Sequence, residues 1–134
     1  MSNEPEMTIV GNLTADPEKR TTGSGMSVCN LTVASTPRTY NKQSGKWEDG
    51  QALFIRCTAW RALADNITAT LSKGMKVIAQ GRLSQQSYQA QDGSKRTNLV
   101  LTLDAIGPEL SHATAQVTRN QSKSQPDAYA GWGA

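Results

Sequence analysis

Residues 52–60, Ala-Leu-Phe-Ile-Arg-Cys-Thr-Ala-Trp, constrain the fold more than any other stretch of the chain. Successive side chains of a β-strand point to opposite sides of its sheet, so this segment separates into two faces. Leu53, Ile55, Cys57 and Ala59 make an apolar face suited to a core. Phe54, Arg56, Thr58 and Trp60 make the other, where two large rings flank a guanidinium. Two arrangements accommodate such a face. The strand is buried on both sides and Arg56 pairs with a carboxylate, or the face meets a single-stranded polyanion. In the second case bases stack on the rings and phosphates meet the cation.

The same alternation recurs along the chain. Met7 to Leu13 reads as a first strand, with Gly11 marking a bulge or a close backbone approach. Thr14 to Gly25 reads as a connection that turns at Asp16-Pro17. Val28 to Ser35 is a half-buried second strand, with Cys29, Leu31 and Val33 inward. Thr36 to Gly50 reads as a long polar hairpin loop carrying Arg38, Tyr40, Lys42, Lys46 and Trp47. Long loops without structure of their own are uncommon unless functional. Its aromatics either repeat the theme of the central strand or pack on each other.

Arg61 to Leu71 places Leu63, Ala64, Ile67 and Leu71 on one helical face and stops at Lys73-Gly74. A helix of this length suits a plug or lid on a small barrel. Met75 to Tyr88 reads as a fourth strand, with Val77, Ala79, Gly81 and Leu83 on one side and Arg82 and Tyr88 on the other. Asp92-Gly93 is a strong hairpin signal, followed by Lys95 and Arg96. Thr97 to Ala105 is a fifth strand, with Leu99, Leu101 and Leu103 inward, and Gly107-Pro108 breaks the run. Ser111 to Val117 alternates weakly and reads as an added edge or intersubunit strand. The organisation expected is a flexible N-terminus over 1–6, one domain over 7–118, and a tail over 119–134 whose composition is that of a disordered segment.

Several function classes are disfavoured. The single histidine, His112, has no cysteine pair or second histidine with which to build a zinc site. No phosphate-binding Walker loop and no Gly-x-Ser-x-Gly nucleophile motif occurs. Asp16, Asp65, Asp92 and Asp104 are scattered, which leaves a carboxylate–metal nuclease as the residual enzyme reading. No catalytic residue, cofactor or metal is therefore expected. Cys29 and Cys57 fall at inward positions and read as reduced core thiols of a cytoplasmic protein. The N-terminus is acidic without an apolar run, and no stretch approaches the ~20 apolar residues of a membrane span. The net charge of +3 permits a polyanionic partner without demanding one. Residues 7–118 hold 12 Lys and Arg against 8 Asp and Glu, so the excess lies within the candidate domain.

An all-β chain with five strands and one α-helix between strands three and four has the order of an OB-fold barrel, here with an extra C-terminal strand. The second and third strands and the long hairpins of that fold form its usual oligonucleotide face. The motifs then become specific. Residues 9–17, Ile-Val-Gly-Asn-Leu-Thr-Ala-Asp-Pro, resemble the opening signature of the bacterial single-stranded DNA-binding protein family. Residues 30–38, residues 54–61, Lys73-Gly74 and Gly81-Arg82-Leu83 resemble its later blocks. Residues 106–110 and 112–115 resemble its actinobacterial branch.

The resemblance implies sequence-independent binding and protection of single-stranded DNA in replication, recombination and repair, by a nucleoid-associated homotetramer. It implies that the C-terminal strand, Ser111 to Val117, lies at a subunit interface. It places base stacking on Phe54, Trp60 and Tyr88, with Tyr40 a nearby candidate. The central-strand arginine of the family falls on Arg56. The residues themselves suggest a phosphate track of Arg38, Lys42, Lys46, Arg56, Arg82, Lys95 and Arg96. Family members usually end in an acidic tail with a Pro-Phe tip that recruits other enzymes. Residues 127–134 here read Asp-Ala-Tyr-Ala-Gly-Trp-Gly-Ala, so tail-mediated recruitment does not carry over and an accessory paralogue stays open. An OB-fold serving protein contact or a structured RNA is the competing reading.

Overall fold

Eight strands and one helix make up the computed structural model, which describes residues 4–120. They are β1 (Glu6–Leu13), β2 (Glu18–Thr21), β3 (Ser27–Ser35), β4 (Arg38–Asn41), β5 (Lys46–Asp49), β6 (Leu53–Trp60), α1 (Arg61–Thr70), β7 (Lys76–Gln89) and β8 (Lys95–Pro108). Residues 1–3, and the proposed tail from 121 onward, lie outside the described residues.

The main sheet runs β1-β7-β8-β6-β3-β2, and β1 also pairs with β3, so the sheet closes into a ring. β1 pairs antiparallel with β7 from Glu6 to Asn12, then meets β3 through Asn12–Ala34 and Leu13–Val33. Gly11 sits where β1 transfers between its two neighbours. A Cβ there would overlap the Ala34 carbonyl, so only glycine lets the two backbones approach this closely. Gly81 plays the same part on β7, against the Thr102 carbonyl. Beside it the register jumps from Gln80–Ala105 to Gly81–Leu103, leaving Asp104 as an extra residue in β8. Such a bulge bends the strand, as closure requires.

Inside the ring lie Ile9, Leu13, Cys29, Leu31, Val33, Ile55, Cys57, Ala59, Val77, Ala79, Leu101 and Leu103. Helix α1 adds Ala64 and Ile67 to that core, and Leu71 follows at its C-cap, so its apolar face plugs the barrel as its spacing predicts. The helix follows β6 without a loop. Arg61 makes the corner with φ 62°, a left-handed conformation that is unusual for a side chain of this size.

The structure corrects several expectations. Residues 18–21 form β2, paired with β3 from Glu18–Asn30 to Thr21–Ser27, where a connection was expected. All four residues are exposed, so no apolar period announces them. The long loop contains a ribbon of its own, β4 with β5, in a separate two-stranded sheet. Strand β8 runs through Gly107 and Pro108 because proline at the strand end forfeits no needed donor, and the next amide, Glu109 N, donates to Lys76 O at 2.8 Å. Leu53 and Leu99 are 54% and 45% exposed despite their inward parity, since they lie towards strand ends beyond the enclosed core.

Ser111 to Val117 is not a strand. In the single chain the segment pairs with no strand among the described residues and is exposed throughout, with Val117 89% exposed. Its alternate residues are two alanines and one valine, which bury too little apolar surface to hold it against the barrel. At its far end Asn120 Nδ2 donates to Asn66 Oδ1 on α1 at 3.1 Å. Among the described residues no helix is long and apolar enough to cross a membrane.

Candidate nucleic-acid interface

The outward face of β6 is open. Phe54 and Trp60 are 62% and 43% exposed, and Arg56 lies exposed between them. The arrangement in which this strand is buried on both sides is thereby ruled out for the single chain. Register explains why Arg56 stays unpaired. Its neighbours across the sheet are Thr32 on β3 and Val100 on β8, neither of them acidic. Among the described residues Arg56 forms no ion pair. Thr58 donates to Asn30 Oδ1 at 3.2 Å, tying β6 to β3 one step further along the same face.

A groove of about 380 Å³ crosses this face, lined by Asn30, Thr32, Arg56, Thr58 and Gln86, by Asp16 of the β1–β2 connection and by Glu18 at the start of β2. It mixes donors and acceptors with both signs of charge. One Asp16 oxygen is already engaged by the Lys73 amide at 2.7 Å.

Two hairpins extend beyond the face. In β7–β8, Tyr88 stands opposite Arg96 and is 46% exposed. The turn is built as its Asp-Gly signal predicts, with Gly93 at φ 87°. Asp92 Oδ1 accepts from Ser94 N at 2.9 Å and from Ser94 Oγ at 2.6 Å. Those two bonds, with Arg96 nearby, hold the Asp92 carboxyl below its usual range. In β4–β5, Tyr40 stands opposite Trp47 with ring centroids 5.5 Å apart at 66°, an edge-to-face pair. The two aromatics pack on each other, and both remain exposed, Tyr40 by 50% and Trp47 by 61%.

The seven candidate cations divide by local partners. Among the described residues Lys42, Lys46, Arg56 and Lys95 make no ion pair. Arg38 pairs with Asp49 at 3.5 Å and Arg96 with Asp92 at 3.7 Å, both well exposed. Exposed pairs of this kind are weak, so these arginines can exchange a carboxylate for another anion. Arg82 faces two carboxylates, Asp104 at 3.4 Å and Glu4 at 4.0 Å, and is the least suited of the seven to an incoming anion.

Two further exposed side chains bear on the candidate site. Trp47 was visible in the sequence, yet its exposure depends on the ribbon. Arg20, on β2, is exposed and lies opposite Val28, which in turn lies opposite Trp60. Nothing in a four-residue polar strand signals that neighbourhood. The thiols are buried: burial pushes Cys57 up to about 12, and burial raises Cys29 against a hydrogen bond from Thr68.

Comparison with known proteins adds an independent line. Residues 5–108 match the Single-strand binding protein family. The single-stranded DNA-binding protein of Bifidobacterium longum is 64% identical over 122 residues, covering 91% of this chain and 56% of that protein. The chain thus spans little more than half the length of that relative. The Mycobacterium tuberculosis H37Rv protein of the same name is 52% identical over 119 residues, covering 89% of this chain and 73% of the relative. Among solved structures, a small single-stranded DNA-binding protein from Streptomyces coelicolor superposes with TM-score 0.71 at 31% identity, over 81% of this chain and 97% of that one.

Proposed function

This chain belongs to the single-strand binding protein family, and on that premise we propose that it binds and protects single-stranded DNA on the outer face of β6 and its flanking hairpins. It acts by binding, not catalysis. One observation carries the reading: Phe54, Arg56 and Trp60 share one solvent-exposed face of β6, and among the described residues the guanidinium makes no ion pair. Bases stack on Phe54, Trp60 and Tyr88, with Tyr40 contributing from the ribbon. Phosphates meet Lys42, Lys46, Arg56 and Lys95, and Arg38 and Arg96 after exchange of their surface partners, with Arg82 secondary. Every base has a face to stack, so little sequence preference is expected. Duplex is rejected because its bases already stack on one another.

The ring of β1, β3, β6, β7 and β8 is the five-stranded OB barrel on this reading, and residues 7–118 are the DNA-binding unit. The assembly is a homotetramer in which residues 111–117, unpaired in the single chain, pair along a strand edge of a neighbouring subunit. The setting is the nucleoid in the cytoplasm, in replication, recombination and repair.

The test is titration of tryptophan fluorescence with poly-dT at two salt concentrations. Quenching is expected, with an affinity that falls as salt rises with a slope of about −0.7 per phosphate neutralised. Absence of quenching and of binding would overturn the reading and point to a barrel used for protein contact.

A further inference from the structure

The β4–β5 ribbon is hydrogen-bonded within itself and joins no strand of the main sheet. It is nevertheless built firmly. At its base Gly50 N donates to Pro37 O at 2.6 Å. At its tip Gly45 N donates to Asn41 O at 2.8 Å, and Asn41 Oδ1 accepts from the Gln43 and Ser44 amides at 2.9 and 3.3 Å. Asn41 Nδ2 donates to Glu48 Oε1 at 3.0 Å, closing the tip across the two strands. A turn so completely hydrogen-bonded holds the ribbon in one conformation.

The two rings on this ribbon differ in what they present. The Tyr40 hydroxyl reaches along the ribbon to within 3.9 Å of where a Cβ on Gly45 would stand. Tyr40 is thus laid along the ribbon towards its tip. Trp47 meets it edge-to-face and stays 61% in solvent, nearly as exposed as Phe54. A tryptophan whose only role was to staple two strands would bury more of its ring. An edge-to-face contact leaves ring faces open, and bases stack on open faces. Lys42 and Lys46 lie at the same tip and, among the described residues, make no ion pair.

We propose that Trp47 is a further base-stacking residue, propped by Tyr40 on a preformed ribbon, and that this ribbon is a second stacking platform apart from the β6 face. The proposal rests on the reading that the protein binds single-stranded DNA, and it shifts the ribbon's stacking role from Tyr40 to Trp47.

The experiment compares the full chain with Trp47→Ala, Trp47→Leu and Trp47→Phe, using a labelled dT oligonucleotide long enough to saturate the wild type. Trp47→Leu keeps apolar cross-strand packing but has no π-face; Trp47→Phe keeps the π-face. Trp47→Ala and Trp47→Leu are expected to bind about tenfold more weakly, and Trp47→Phe within about threefold of wild type, all with an unchanged salt slope. In Trp60→Phe/Trp132→Phe, which leaves Trp47 as the sole tryptophan, the emission is expected to fall on saturation with the oligonucleotide. Wild-type affinity in Trp47→Leu, or unaltered Trp47 emission in a saturated complex, would overturn the proposal alone. Failure of the wild-type protein to bind the oligonucleotide would instead overturn the DNA-binding reading beneath it.

Discussion

Phe54→Ala separates the ring's role in folding from its role in binding. The side chain is 62% exposed, so about two-fifths of it is buried in the free protein. Full burial of a phenylalanine is worth about 1.5–3 kcal/mol, and the buried fraction therefore contributes about 0.6–1.2 kcal/mol to folding. Removing a ring that stacks on a base costs about 1–3 kcal/mol of binding, or roughly 5- to 150-fold in affinity. The variant should lose more in binding than in stability. Thermal melting or denaturant unfolding gives the first quantity, and anisotropy of a labelled dT oligonucleotide gives the second. A third readout identifies the mechanism. The ring contacts no phosphate, so Phe54→Ala should leave the salt slope unchanged, whereas Arg56→Gln should reduce its magnitude by about 0.7. Phe54→Trp, with a larger π-face on the same strand, should bind at least as tightly as wild type. A folded Phe54→Ala protein with wild-type affinity would refute the assignment of this ring to stacking.

Three other outcomes follow from the geometry. Gly81→Ala drives a Cβ into the Thr102 carbonyl at the Asp104 bulge; a loss of about 1–3 kcal/mol is expected by denaturant unfolding, as for other overpacked sites, and an unchanged midpoint would contradict the close approach. Cys29 and Cys57 are buried with raised thiol pKa values, Cys57 at about 12; native protein at pH 8 should resist iodoacetamide and react only on unfolding, so rapid native labelling would show the core to be open. The carboxyls of Asp65, Asp92 and Glu109 are held low chiefly by hydrogen bonds from Ser27, Ser94 and Ser111 respectively. Their stabilising effect is present above the ordinary carboxylate range and is lost as pH falls through their lowered values; melting temperature should therefore drop below about pH 4, and Asp92→Asn should flatten that drop.

Strand faces, the helix and most of the core follow from residue order alone. Ile55, Cys57 and Ala59 are buried while Phe54, Arg56 and Trp60 face out, as their alternation predicts. Helix α1 buries Ala64 and Ile67 as the spacing of Leu63, Ala64, Ile67 and Leu71 predicts. These features are local: the period of apolar residues follows from backbone geometry, whatever the partner strand. The stacking and cation types of the candidate site were also legible, because they are residue identities carried on those faces.

Tertiary structure decided what depends on distant partners. Ring closure at Gly11 requires β3 and β7 to flank β1, which no window of sequence contains. Strand β2 and the β4–β5 ribbon are exposed, and an exposed strand needs hydrogen-bonding edges but no apolar period. Arg56 and Arg82 are equally basic in sequence. Among the described residues one faces Thr32 and Val100 and makes no ion pair, while the other falls between Asp104 and Glu4. Ser111 to Val117 alternates like a strand yet stays single, because two alanines and a valine bury too little apolar surface to hold the segment against a sheet. An apolar period is a property of a segment, whereas strand pairing, register, closure and ion pairing are properties of the chain folded back on itself.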